Sequence, residues 1–172
     1  SASFSYDANC IYFVSNKIYD SNGGNDIYCS CKNAEGEWMS AENLGKVINT
    51  KYNEESIFMH PDGKTMFFSS QGHNSIGGYD IFKSVKQKDG TWSKPENLGY
   101  PINTTDDDLG FVLSANGKSA YYSTFKSDSY GYKDIYKITF NDKPLLAPSL
   151  TVLKGYILDS TSSKKYTGAD IE

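Results

Sequence analysis

The sequence predicts an all-β protein assembled from repeats, and three observations carry that prediction. One short phrase is written three times, as GGNDIY (Gly23 to Tyr28), GGYDIF (Gly77 to Phe82) and GYKDIY (Gly131 to Tyr136), with the aspartates Asp26, Asp80 and Asp134 spaced 54 residues apart. Other markers keep the same interval: Trp38 returns as Trp92, and ENLGKVIN (Glu42 to Asn49) as ENLGYPIN (Glu96 to Asn103). A fixed period of this size is the mark of a repeat architecture. Aromatic residues are abundant, with 14 Tyr, 9 Phe and 2 Trp, and they favour pleated, half-buried surfaces.

The repeats run over about residues 1–50, 51–104 and 105–142, and the second is complete. ESIFMH (55–60) reads as its first strand. PDGK (61–64) follows, and Asp-Gly between apolar runs is a strong hairpin signal. TMFFSS (65–70) is the second strand, QGHNSIGG (71–78) a polar loop, and YDIFKSVKQ (79–87) an alternating third strand. After the turn at KDG (88–90), TWSKPENLG (91–99) holds an outer strand, where Pro95 is tolerable because an edge strand can leave an N–H unpaired. Each repeat is thus expected to be a four-stranded antiparallel sheet with little helix.

The second strands decide how such sheets should stack. In Ile11 to Phe13, Met66 to Phe68 and Ala120 to Tyr122, neighbours on both faces are apolar or aromatic. A sheet with one face in water would alternate apolar and polar residues. Both faces therefore need covers, and small sheets packed face to face around an axis, a β-propeller, supply them. Three blades fall short of the usual 4–8, so further blades upstream of Ser1 or a second copy are expected. In this reading Asp26, Asp80 and Asp134 hold turns or strand entries by accepting backbone N–H groups. Trp38 and Trp92 pack between blades.

Charge and chemistry narrow the function. A net charge of -4, from 17 basic and 21 acidic residues, disfavours a nucleic-acid footprint, which needs a basic patch or stripe. No apolar run approaches the roughly 18 residues of a membrane span. No signal peptide is expected within these residues, and the chain reads as a piece of something longer. Cys10, Cys29 and Cys31 all lie in the first repeat; the matching positions later are Thr65 and Ser119, Lys83 and Lys137, Val85 and Thr139. An odd count excludes a full disulfide framework, which leaves ordinary thiols or a Cys10–Cys31 cross-strand bridge. His60 and His73 lack zinc-finger-like neighbours. SNGGND (21–26) is no phosphate loop, DGTW (89–92) is a poor match to the Asp box of sialidases, and no nucleophile elbow occurs. No catalytic residue, metal or cofactor is therefore expected, and the chain reads as a non-enzyme. One acidic face is expected at the inter-blade connections and loops: Asp20, Glu54, Glu55, Asp106, Asp107, Asp108 and Asp128. It reads either as a solvated rim or as a dock for a cationic partner or Ca²⁺.

The motifs HPDGKTMFFSS (60–70), GGYDIFKS (77–84) and GTWSKPENLGYPIN (90–103) resemble the WD-repeat-like propeller repeat of TolB-type proteins. More closely, they resemble the version in Bacteroidetes envelope proteins, where such propellers precede a carboxypeptidase-regulatory-like domain and an OmpA-like peptidoglycan-binding domain. The resemblance covers about Ser3 to Phe140. The first repeat departs from it in lacking Asp-Gly, and the third in GYKDIY and in having no Trp-Asn-Leu-Gly strand. KPLLAPS (143–149) resembles a linker, and residues 150–172 the truncated opening of the carboxypeptidase-regulatory-like sandwich. The resemblance implies an interaction scaffold in the periplasm or at the outer membrane, with envelope proteins as partners and the peptidoglycan contact in a domain absent here. The rival readings are a carbohydrate-binding or glycoside-hydrolysing propeller, with Phe58 and Tyr130 as stacking platforms, and a regulatory propeller of a peptidase.

Overall fold

A computed structural model describes residues 1–16, 20–141 and 144–146. The linker at 143–149, apart from 144–146, and the segment at 150–172 lie outside the described residues. The chain is all-β, and each repeat makes its own antiparallel sheet. The first holds β1 (Ala2–Phe4), β2 (Cys10–Ser15), β3 (Asp26–Cys31) and β4 (Glu42–Asn43). The second holds β5 (Glu54–Met59), β6 (Thr65–Ser70), β7 (Asp80–Val85) and β8 (Glu96–Asn97). The third holds β9 (Leu109–Leu113), β10 (Ser119–Thr124) and β11 (Asp134–Thr139).

Local chemistry sets the turns. At the β5–β6 hairpin the Asp62 carboxylate accepts the backbone N–H groups of Lys64 (3.0 Å) and Thr65 (2.8 Å) and the Thr65 hydroxyl (2.6 Å). Gly63 there has φ +73°, a left-handed conformation that glycine adopts without strain. The repeat shows in the register. Each repeated aspartate opens a third strand opposite the last residue of the second: Ser15 faces Asp26, Ser70 faces Asp80 and Thr124 faces Asp134. Cys10 and Cys31 face each other across β2–β3 and are joined by a disulfide, while Cys29 is free.

Two seams hold the sheets together. Tyr12, Ile27 and Ile48 of the first repeat meet Ile57, Met59, Met66, Phe68 and Phe82 of the second. Phe67, Ile81 and Ile102 of the second meet Phe111, Leu113, Ala120 and Tyr122 of the third. β6 therefore sends Met66 and Phe68 one way and Phe67 the other, as the period-2 alternation of a strand demands, and both sets are buried. Burying a side chain of this size is worth about 1.5–3 kcal/mol, so the middle sheet is the best-anchored part of the molecule.

The expected β-propeller of four-stranded blades is corrected by this architecture. Among the described residues the sheets have four, four and three strands, and none is closed or curled as propeller blades require. The middle sheet touches both neighbours, whereas strands of the first and third do not meet. The outer strands β4 and β8 are only two residues long; Pro95, lacking an N–H, precedes β8. Trp38 also departs from expectation. Trp92 reaches the first seam and meets Tyr12 edge-on at 6.0 Å. Trp38 is 47% exposed, beside Phe4 and Lys32, because among the described residues no sheet precedes the first to receive it.

Candidate functional site

The repeated phrase builds a clasp between consecutive sheets. In the first repeat the Asp26 carboxylate accepts the backbone N–H of Asn22 and the Asn43 side-chain amide at 2.8 Å. In the second, Asp80 accepts Ile76 N–H at 2.6 Å and the Asn97 amide at 2.8 Å. Asn49 and Asn103 extend both networks. Their side chains accept from and donate to the backbones of Ile27 and Ile81, at 2.8 and 2.9 Å in each case.

The loop so shaped then grips the connection to the next sheet. Gly24 N–H donates to Tyr52 O at 3.0 Å, and Gly78 N–H to Asp106 O at 3.2 Å. The side chains of Asn53 and Asp107 accept the N–H groups of Asn25 (2.9 Å) and Tyr79 (3.1 Å). A Cβ on Gly23 would collide with backbone at Thr50–Tyr52, and one on Gly77 would stand 2.6 Å from Thr104 O. Asp134 accepts Tyr130 N–H at 2.7 Å, yet a Cβ on Gly131 would meet nothing within 4 Å.

The seven acidic residues separate by role. Glu54 and Asp108 are fully buried. Glu54 accepts the Thr50 hydroxyl (2.7 Å), Thr50 N–H (3.1 Å) and the Ser70 hydroxyl (2.8 Å); Asp108 accepts Thr104 N–H (2.6 Å) and hydroxyl (3.1 Å). Burial pushes both carboxyl groups above their ordinary values, because low-dielectric surroundings disfavour the charged form. Asp20 and Asp128 each accept a tyrosine hydroxyl at 3.0 Å, from Tyr28 and Tyr136. Glu55 accepts the Asn25 amide at 3.0 Å. Asp107 pairs with Lys133 at 3.0 Å, which holds its carboxyl below the ordinary value. Asp106 is exposed. The expected single acidic face is thus divided: two members are interior struts, and no group of three carboxylates converges to hold a metal among the described residues.

A cleft opens beside the second clasp, between the loop ends of the second and third sheets. Its volume is about 390 Å³, and Gly78, Asp106, Asp107, Phe125, Tyr132 and Lys133 line it. The rings of Phe125 and Tyr132 stand 6.4 Å apart at 36°. The Lys133 ammonium lies 5.6 Å from the Tyr132 ring centre while it pairs with Asp107. Thr105 and Asp106 add polar groups beside the aromatic walls and the charged pair. Sequence reasoning missed Phe125, Tyr132 and Lys133. The signal was the departure of GYKDIY from the double glycine: Tyr132 and Lys133 stand where the second copy has Gly78 and Tyr79 and the first has Gly24 and Asn25. Phe58, expected as a stacking platform, instead packs in the second seam and stacks on Phe67 at 6.3 Å. Tyr130 is fully exposed.

No family model matches the chain, and no curated protein matches it. Among solved structures it is similar to a putative TolB from Agrobacterium tumefaciens, at 14% identity and a TM-score of 0.55, over 80% of this chain and 44% of that one. The chain spans less than half the length of that protein, and the likeness is one of fold alone. The resemblance to propeller-bearing Bacteroidetes envelope proteins is corrected accordingly: what is found is a distant structural likeness to a TolB protein, carried by open antiparallel sheets.

Proposed function

We propose that the chain is a non-catalytic interaction module of a bacterial cell envelope, and that it binds partners at the loop-end cleft between its second and third sheets. The observation that carries this reading is the cleft itself, where Phe125 and Tyr132 flank the Lys133–Asp107 pair. A concave site of a few hundred Å³ that sets aromatic rings beside convergent polar groups has the character of a binding site. Among the described residues, Asp26, Glu54, Asp80 and Asp108 instead accept structural hydrogen bonds. No helix of the described residues is long and apolar enough to cross a membrane. The envelope setting, in the periplasm or at the outer membrane, is proposed from the distant fold likeness to a TolB protein.

The exposed rings of Tyr130 and Tyr132 favour a second reading, since flat aromatic faces stack on sugar rings. One experiment separates the two. Wild type and a Phe125→Ala/Tyr132→Ala variant are compared on a glycan array and by quantitative cross-linking in envelope preparations, followed by titration of the purified cross-linked protein. The expected result is a protein partner bound about 10-fold or more weakly by the variant, the loss of roughly 1.4 kcal/mol that removing aromatic anchors brings. Glycan binding lost in the variant supports the second reading. Hydrolysis of glycosides or peptides, abolished by Asp107→Asn, would overturn both.

A further inference from the structure

Three sulfurs gather on the first sheet, at positions the other repeats fill with Thr, Val, Lys and Ser. Cys29 and Cys31 are two apart on β3 and so point to one face, and Cys10 faces Cys31 from β2. Cys29 Sγ lies 3.6 Å from Cys31 Sγ, and all three sulfurs fall within 4.8 Å of one another. Cys29 opens into a groove between the first and second sheets, walled by Tyr12, Glu42, Lys86 and Trp92. A solvent path to the cluster therefore exists.

Two chemistries use a free thiol beside a disulfide. Thiol–disulfide exchange needs the attacking sulfur in line with the bond it breaks. Here the sulfurs form a triangle, not a row. A triangle suits a shared cation. With metal–sulfur bonds of about 2.3 Å, three sulfurs around one ion stand about 4 Å apart. Cys29 and Cys31 are near that spacing at 3.6 Å, whereas Cys10 and Cys31, bonded to each other in the bridge, must move apart to reach it once the bridge is reduced. Among the described residues no fourth Cys, His or carboxylate joins the group, whereas closed zinc sites take four ligands. Soft thiolates select Cu(I), which accepts three.

We propose that Cys10, Cys29 and Cys31, once the Cys10–Cys31 disulfide is reduced, form a three-thiolate site for Cu(I). Opening the bridge takes two electrons and two protons from a dithiol reductant, which leaves as its own disulfide. Each thiol that then coordinates Cu(I) releases its proton to solvent. The bridge and the metal exclude one another, so in an oxidising periplasm the site opens only when a dithiol reductant is delivered to the bridge. The other sheets have no counterpart because a single site needs no copies.

The test starts from protein reduced with a phosphine, cleared of reductant without oxygen, and titrated with Cu(I) supplied as its acetonitrile complex against bicinchoninate. The expected result is one Cu(I) per chain with a thiolate-to-copper band in the near ultraviolet, and no uptake by the oxidised protein. Cys29→Ser keeps the bridge, so its fold is checked in the oxidised state by circular dichroism. After reduction it should bind roughly 100-fold more weakly. Equal binding by wild type and Cys29→Ser, or by oxidised and reduced protein, would overturn the proposal. So would Cu(I) uptake that persists after reduction has melted the sheets, because the fold would then contribute nothing.

Discussion

The two tryptophans show how far a residue's role depends on its neighbours. Trp92 packs against Tyr12 in the first seam, while Trp38 lies on the outside of the first sheet. Trp92→Ala should therefore cost about 2–4 kcal/mol, near the lower end for aromatic-to-alanine core changes because the ring is only partly buried. Trp38→Ala should stay within about 1 kcal/mol. Urea denaturation of the two variants tests the pair, and equal losses would place Trp38 in a seam after all. Glu54 and Asp108 make a pH prediction. Their carboxyl groups are raised from ordinary values of 4.5 and 3.8. Between the unfolded and folded pKa values the native state keeps a proton that the unfolded chain has released. Stability contributed by these groups is therefore greatest in acid and is lost as pH rises through the folded pKa. Asp107, lowered by Lys133, has the opposite sign: its contribution is present above its unfolded value and is lost as pH falls. Denaturation midpoints from pH 4 to 8 should show a weaker fall with rising pH in Glu54→Gln than in wild type; an unchanged slope would assign the dependence elsewhere.

At the scale of elements, the clasp matters more than any strand. Gly77 sits 2.6 Å, counted from a virtual Cβ, under the carbonyl of Thr104, whereas the same position in the third repeat, Gly131, is open. Gly77→Ala must push the inter-sheet connection aside, at about 1–3 kcal/mol. Gly131→Ala should be near neutral, and a thermal melt distinguishes them. Asn103 is buried and bridges Ile81 to Asn97. Asn103→Ala would strand the buried Ile81 N–H, while the Asn97 Oδ1 keeps the Gly99 N–H as donor, for a loss of about 1–3 kcal/mol. Gly77 and Asn103 act in one clasp, so the double variant should lose less than the sum of the singles.

For the molecule as a whole, the open stack leaves an end. Ile27 and Ile81 are fully buried, but their counterpart Ile135 is 78% exposed. Tyr121 and Val112, also exposed on the third sheet, continue the apolar surface. Exposed apolar patches of this kind promote association. Sedimentation should show concentration-dependent self-association that Ile135→Lys weakens. A wild type that remains monomeric up to high concentration would show that this face is adequately solvated.

The sequence by itself determined the all-β class, the 54-residue period, the Asp-Gly hairpin and the apolar second strands, because those features follow from local turn chemistry and from side-chain alternation within a few residues. It also marked Asp26, Asp80, Asn49 and Asn103 as recurring, though not as members of one clasp. Only the tertiary structure decided that the sheets of the described residues stay open rather than close, because closure depends on which faces meet, and among those residues the first and third sheets do not. It alone separated Glu54 and Asp108, buried beneath the connections, from the exposed Asp106 beside them, since burial is set by packing between repeats rather than by residue type. The cleft of Phe125, Tyr132 and Lys133 belongs to the same class. Its residues come from one sheet and its floor from the next, and their meeting is a consequence of how the third sheet seats on the second.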